Sequence, residues 1–298
     1  MSSISDFHIC HVPSDQEFGY VCEGPKYEAF ADKLEAFVTA TDDGDSLWGK
    51  RPFPFPNNTT LLVVGNSLMR QVFMNIACQY RDELETWIDH EYHQSNVMRR
   101  GTFLEVGFAN GATMYLVTNH AMFYSPKWPK FLKELIGGEE VWQNLDFMVV
   151  GHLNGFAQAY NTAFMEIMRE KTKQWEGANF ETVEPPRLND FARVFKDRPL
   201  IAVSLMADSS SVDSDYQELL QLKRRTEKRE RRTAVNRTIS IVHGRKYIKA
   251  LGECGSDVWW NKTDCTQQPQ MHRCIGARGG YPDVVAFDTI ETIYQVVI

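Results

Sequence analysis

The sequence lacks long apolar runs and an excess of basic charge. Its richest apolar stretch, residues 61–64, is strand-sized and falls far below the roughly 20 residues that a membrane-spanning helix needs. The formal net charge of -7 argues against the broad basic surface that nucleic-acid binding requires. Residues 1–6 have neither the charged start nor the apolar core of a signal peptide. We therefore expect no membrane span and no nucleic-acid partner, and, since no signal peptide is visible, either a cytosolic protein or one whose leader has been removed.

No Cys-x-x-Cys pair is present, so the spacing typical of a zinc finger is missing. The sequence nevertheless holds an even set of six cysteines, which favours disulfides: Cys10, Cys22, Cys78, Cys254, Cys265 and Cys274. Asn-x-Ser/Thr sequons favour a glycoprotein in an oxidising lumen, and they begin at Asn57, Asn58, Asn236 and Asn261. Because no leader is visible, a cytoplasmic location stays open beside a lumenal or secreted one.

The length and composition are those of a globular protein with one large core. The chain has 298 residues, of which 43% are hydrophobic, and this excludes disordered, collagenous and coiled-coil classes. Residues 1–58 are mixed in character, with a predicted helix over 26–40, and we interpret them as an N-terminal wrap packed on the main domain. Residues 59–298 then form the main domain.

Apolar, β-branched runs without alternation predict strands that are buried on both faces. These runs cover residues 60–65, 146–151, 199–205 and 238–243. Helical spacing follows them and predicts helices that begin at 67, extend over 156–175, end near 232 and cover 282–298. Asn110-Gly111 lies between two strand-like segments, 103–108 and 113–118, and predicts an antiparallel hairpin. The alternation of strands and helices predicts an α/β fold with a mainly parallel sheet.

Ser67 lies where the first buried strand is expected to turn into a helix. Open α/β sheets bind ligands at this place, and the free N–H groups of a helix start stabilise an anion. A serine hydroxyl becomes a useful nucleophile when a histidine base, an orienting acid and oxyanion donors surround it. The alternative role for Ser67 is that of a plain helix N-cap.

The segment around this serine, Gly65-Asn66-Ser67-Leu68-Met69-Arg70-Gln71, resembles the Gly-Asp-Ser block of the SGNH/GDSL hydrolase superfamily. Arg70 and Gln71 match the Gly-Asp-Ser-x-x-Arg-Gln pattern of its PC-esterase branch. That branch includes trichome-birefringence-like polysaccharide O-acetyltransferases and sialic acid O-acetyltransferase. Three further segments, 100–126, 146–155 and 272–283, are similar to segments of that branch and occur in its order. The resemblance implies a three-layer sandwich with a mainly parallel central sheet flanked by helices.

The resemblance also implies roles for particular residues. Ser67 would be the nucleophile, His272 its general base, and Asn154 a side-chain donor to the oxyanion. Gly101 would offer a further backbone N–H group. The remaining candidates for oxyanion or substrate binding are Asn66, Arg70 and His152.

Two positions depart from the family pattern. Asn66 stands where the family has aspartate, and Pro269 stands where the family places the acid that orients the histidine. We take Asp264, eight residues before His272, as the orienting acid, and a Ser-His dyad is the alternative. These departures motivate a second hypothesis, a catalytically silent module that binds a glycan or a protein.

The leading function implied by the resemblance is a serine-dependent acyl transferase or esterase. It would move a small acyl group, acetyl in the family, to or from a carbohydrate hydroxyl through an acyl-enzyme. Its partners would be a small acyl donor and a glycan or another hydroxyl-bearing acceptor, and no metal or cofactor is implied. If the cysteines are reduced, a cytosolic small-ester or lipid esterase is the third hypothesis.

Two other charged patterns have simpler interpretations. His90 and His93 have a spacing that suits a metal on one helix face, but no third ligand is evident, so we interpret them as a solvated pair. Residues 223–232 hold seven basic residues broken by Glu227 and Glu230. We expect a solvated helix with i,i+4 ion pairs there, and an anion-binding surface is the alternative.

Overall fold

The structure is a computed structural model in which the central strands and their helices are described. The described residues are 53–65, 67–90, 103–118, 121–151, 162–195, 198–204, 220–221, 223–225, 227–228, 239–243, 289–290, 292–293 and 295–296. The predicted helix over 26–40, the N-terminal wrap up to residue 52 and the segment with Asp264 and His272 lie outside these residues. No helix among the described residues is both long and apolar enough to cross a bilayer.

Seven strands and five α-helices are assigned along the described chain. In order they are β1 (Thr60–Gly65), α1 (Ser67–Gln79), β2 (Leu84–Asp89), β3 (Phe103–Phe108), β4 (Thr113–Thr118), α2 (Trp128–Leu135), α3 (Glu139–Asn144), β5 (Phe147–Gly151), α4 (Thr162–Thr172), α5 (Leu188–Val194), β6 (Leu200–Ser204) and β7 (Ile239–His243). Short 3₁₀ helices cover Arg81–Glu83 and Ala121–Tyr124. The described residues within 220–228 and 289–296 are helical.

The strands form one seven-stranded sheet in the order β2-β3-β4-β1-β5-β6-β7. The five strands from β4 to β7 in this order are parallel to one another. The strands β2 and β3 extend the sheet in antiparallel fashion beyond β4. The prediction of an α/β fold with a mainly parallel sheet is therefore confirmed, as are the buried strands and the hairpin on which it was based.

Strand β1 is buried because β4 and β5 cover both of its edges and helices pack against its side chains. Leu62 and Val64 are fully buried in an apolar cluster. The other strand residues of the cluster are Phe103, Val117, Met148, Val150 and Leu200, and its aromatic helix residues are Trp128, Phe131, Trp142 and Phe191. Helices α2, α3 and α5 therefore share one core with the middle of the sheet.

Helix α1 approaches the backbone of β1 very closely. It contacts β1 and β4. A Cβ atom on Gly65 would collide with the side chain of Met69, which lies in the first turn of α1. Because side chains alternate along a strand, this Cβ position points to the face opposite Leu62 and Val64. Glycine at position 65 thus gives α1 the room to begin directly after the strand.

Polar contacts fix the amino ends of the central strands. The backbone N–H of Thr60 donates to Asp146 Oδ2 at 2.7 Å, and the N–H of Asp146 donates to the carbonyl of Thr60 at 2.8 Å. Arg198 donates to the carbonyls of Trp142 and Leu145, the latter at 3.1 Å. These two carbonyls belong to the end of α3, so the guanidinium satisfies groups that a helix leaves without partners. Its Cζ also lies 4.1 Å from the centroid of the Phe195 ring.

The hairpin turn ties the segment before β1 to the sheet. Gly111 has a φ of +81°, the left-handed region that glycine adopts without strain. The Asn110 amide donates to the carbonyl of Phe55 at 2.8 Å, and Asn110 Oδ1 accepts from the N–H of Ala112 at 3.0 Å. Asn110 lies in one of the segments that resemble PC-esterases, and its contacts here are those of a turn residue.

Four elements were not predicted from the sequence: β2, α2, α3 and α5. A signal for α2 was present, since Trp128, Phe131 and Leu132 have helical spacing and Pro129 stands in the first turn. Strand β2 gives little signal, because polar and apolar residues do not alternate along it and Ile88 is 42% exposed. An edge strand of this kind becomes recognisable through its partner β3.

We expect Gly65→Ala to lower the free energy of unfolding by about 1–3 kcal/mol, because the added methyl group overpacks Met69. Met69→Ala should itself be destabilising because it opens a cavity, but the double variant should lose less than the sum of the two. Denaturant unfolding of the four proteins measures this coupling. Additivity within about 0.5 kcal/mol would contradict the contact.

Candidate functional site

Three strand ends meet at the middle of the sheet. Gly65, the last residue of β1, is paired in register with Thr118, the last residue of β4. On the other side Val64 is paired with Val150, and the Cα of Gly151 lies 3.5 Å from the Cβ position of Gly65. The carboxyl ends of β1, β4 and β5 are therefore direct neighbours.

This edge is where the direction of the chain reverses across the sheet. In chain order the five parallel strands are arranged 2-1-3-4-5, so β4 lies on one side of β1 and β5 on the other. Doubly wound sheets of this order bind ligands in a crevice outside the carboxyl ends of the strands, at the reversal point. The carboxyl end of β1 is that point in this protein.

Ser67 is the first residue of α1 and stands two positions after the end of β1. Its predicted location, between a buried parallel strand and a helix, is confirmed. The first N–H groups of a helix have no acceptor within the helix, so they are available to an anion at this place. Backbone donors and one hydroxyl-bearing residue are thus brought to the reversal point.

Two buried polar residues flank the start of α1. Arg70 lies one turn after Ser67 and is 6% exposed, and Thr118 at the end of β4 is 1% exposed. Both lie among apolar core residues, where burial of polar groups is costly unless other polar groups hold them. The sequence singled out Arg70 but not Thr118. The available signal was a threonine that ends an apolar strand, and its pairing with Gly65 becomes visible only in the fold.

The other predicted site residues lie outside the described residues: Asn66, Gly101, His152, Asn154, Asp264 and His272. The strand ends beside several of them are described. Gly151 closes β5 directly before His152 and Asn154, and it lies next to Gly65. Phe103 opens β3 two residues after Gly101, and it pairs with Val117 near the end of β4. The chain therefore leaves or enters the sheet at the edge of Ser67 in both cases.

The imidazole of His90 contacts a carboxylate and an aromatic ring. Its Nε2 lies 3.0 Å from Glu105 Oε2, and its ring stacks on Phe103 with a centroid separation of 4.3 Å. His93 lies outside the described residues. Within the described ranges, no group of three or more histidine, cysteine or acidic side chains is placed to hold a metal ion.

Ser125 lies in the same segment as Asn110, residues 100–126, and it has a structural environment. Its Oγ donates to the carbonyl of Glu176 at 2.7 Å and accepts from the N–H of Lys127 at 3.1 Å. Lys127 also forms an ion pair with the Glu176 side chain. Burial raises the pKa of the neighbouring Tyr124 to about 12, so its phenol stays neutral over the physiological range. These contacts attach the segment after α4 to the core.

The sequence matches no family model, no curated protein and no solved structure. The chemistry of the site is therefore inferred from the geometry of the β1 edge and from the residues of the chain itself.

We expect Ser125→Ala to lower the free energy of unfolding by about 1–3 kcal/mol, because the Glu176 carbonyl and the Lys127 N–H lose their buried partner. Thermal unfolding followed by circular dichroism measures the change. Ser240→Ala on the half-buried face of β7 is a matched control, for which we expect a smaller loss. An unchanged unfolding temperature for Ser125→Ala would contradict the structural role.

Proposed function

We propose that the protein is a serine-dependent acyl transferase or esterase that acts on a carbohydrate hydroxyl. The acyl group is small, with acetyl as the first choice. Ser67 is the nucleophile, and His272 is the base. The fold is a three-layer sandwich of the SGNH type, with its chemistry at the carboxyl end of the central strand.

One observation carries this proposal. Ser67 begins the helix that follows the central parallel strand, at the reversal point of the sheet. A residue at this position meets the ligand crevice and the unpaired N–H groups of α1 at the same time. A serine that served only as a helix cap could stand at the start of any helix. That role therefore does not explain why the serine lies at the reversal point of the sheet.

Packing supports the three-layer arrangement. The residues Leu62 and Val64 of β1 share a core with α2, α3 and α5. The Cβ direction of Gly65 leads from the opposite face of the strand to Met69 of α1. Helices on both faces of a parallel sheet are the usual way to bury strands that lack alternation.

The first chemical step forms the acyl-enzyme. The Ser67 Oγ attacks the carbonyl carbon of the donor while His272 takes the hydroxyl proton. The bond from that carbon to the leaving oxygen breaks, and His272 returns the proton to the leaving group. Backbone N–H groups at the start of α1 and the Asn154 amide stabilise the oxyanion that forms in between.

The second step releases the acyl group. A sugar hydroxyl attacks the acyl carbon, His272 takes its proton, and the proton returns to Ser67 as the acyl bond breaks. Water in place of the sugar gives hydrolysis. Arg70 is a buried cation one turn after Ser67 in α1, and its charge favours an anion near the start of this helix.

We expect a fluorophosphonate probe to label the protein at Ser67, and we expect the protein to hydrolyse p-nitrophenyl acetate. Ser67→Ala should abolish labelling and reduce turnover by about 10³-fold or more, because the nucleophile is lost. His272→Ala should reduce both to a similar extent, since residues of one catalytic unit act together. Labelling is read by mass spectrometry of the modified peptide, and turnover by absorbance.

Ser240→Ala is the matched control, because Ser240 lies on β7, at the far end of the sheet order from the β1 edge. This variant should retain both labelling and turnover. If labelling and turnover survive Ser67→Ala and His272→Ala, the proposed function is wrong. If the unmodified protein shows neither, the silent binding module replaces it.

A further inference from the structure

The helical segment between β6 and β7 carries exposed cations on one face. Arg224, Arg225 and Lys228 are exposed and helical. Residues three and four positions apart are neighbours on a helix surface, so Lys228 lies beside both arginines. We call these three residues the basic stripe. The sequence continues in the same character, with Arg229, Arg231 and Arg232.

The basic stripe has no carboxylate partner among the described residues. Glu227 is exposed and stands three positions after Arg224 and four after Lys223, yet it pairs with neither. The expectation of i,i+4 ion pairs in this segment is therefore wrong for its described part. The spacing allows such pairs, but Lys223 and Arg224 do not form them with Glu227, and a surface ion pair contributes little free energy in any case.

Cations on other helices of the molecule are paired. Lys130 pairs with Glu134 in α2, and Arg193 pairs with Asp190 in α5, at 3.6 and 3.4 Å. Lys173, after α4, pairs with Glu170. The basic stripe differs from these cations, because no carboxylate of a described residue pairs with it, although Glu227 is exposed beside it. In a chain with a net charge of -7, this gives a local positive field that attracts anions.

We propose that the basic stripe binds an anionic polysaccharide, so that the carbohydrate acceptor of the Ser67 site carries carboxylate or sulfate groups. This inference depends on the proposed function for the choice of a carbohydrate. In sequence the segment precedes β7, which lies three strands from β1 in the order of the sheet. A polymer chain can contact surfaces several strands apart, whereas a monosaccharide cannot.

The charge pattern favours a polysaccharide over two other polyanions. Duplex nucleic acid requires a broad basic surface, and the net charge of -7 opposes it outside the stripe. A lipid surface requires an exposed apolar helix face next to the cations. The other exposed described residues of this segment are Gln221 and Glu227, and neither is apolar.

The test uses the full-length protein with polygalacturonate, dextran sulfate and neutral dextran, measured by isothermal titration calorimetry at low and high salt. The stripe variant is Arg224→Gln/Arg225→Gln/Lys228→Gln. The control variant is Lys130→Gln/Lys173→Gln/Arg193→Gln, which removes the same charge from exposed cations with ion-pair partners. Thermal unfolding of both variants verifies that they are folded.

We expect the protein to bind one or both anionic polymers, to ignore neutral dextran, and to lose binding as salt rises. The stripe variant should bind at least about tenfold more weakly, since three charge contacts are lost, and the control variant within about twofold of the parent. The inference is overturned if neither anionic polymer binds, if both variants lose affinity equally, or if duplex RNA or anionic vesicles bind more tightly than the polysaccharides.

Ser67→Ala separates this inference from the proposed function. We expect it to bind the anionic polymer as tightly as the parent protein, because the substitution leaves all three residues of the stripe unchanged. If the parent protein binds the polymer but shows no acyl chemistry, the inference about the basic stripe stands and the proposed function is wrong. If the parent protein shows acyl chemistry but does not bind the polymer, the proposed function stands and the basic stripe is not its acceptor site.

Discussion

The enclosure of β1 is the constraint on which the rest of the structure depends. Its backbone is paired with β4 on one edge and β5 on the other, and its side chains are covered on both faces. A strand in this position must be apolar, so it contributes no polar side chain of its own until it ends. Gly65 then lets α1 start against the strand, and the first polar residues after it arrive at the sheet edge together with the free N–H groups of a helix.

The parts of the fold that sequence predicts well are those with local causes. The strands flanking Asn110-Gly111 have the predicted bounds, because turn chemistry fixes a hairpin over a few residues. The buried parallel strands were recognisable because strands covered on both faces lack alternation. Strand β2 was missed because its assignment depends on pairing with β3, whose partner residues lie far away in the chain. Helix α2 has apolar residues at helical spacing, so it can be predicted from the sequence.

The candidate site shows the same difference between local signals, which the sequence reveals, and long-range pairing, which it does not. The location of Ser67 follows from a strand-to-helix junction that is local in sequence. The proximity of Thr118 depends on the register of β1 with β4, which no spacing along the chain reveals. Asn110 and Ser125 both occur in segment 100–126, in which the sequence resembles a family of enzymes. The contacts of Asn110 are those of a turn residue, and the contacts of Ser125 attach a loop. Charge spacing around Glu227 permits ion pairs that Lys223 and Arg224 do not form, because the free energy of a surface ion pair is too small for spacing alone to decide whether it forms.

The polar contacts of Asp146 and Arg198 have a consequence for how the sequence can vary in evolution. They fasten the amino ends of the central strands, while Ser67 stands at the other end of the same strands. Because the two ends are separated by the length of β1, the contacts of Asp146 and Arg198 do not involve the end of the sheet at Ser67. Sequence changes at the Ser67 end therefore leave these contacts in place, so that end can vary in evolution without loosening the amino ends of the central strands.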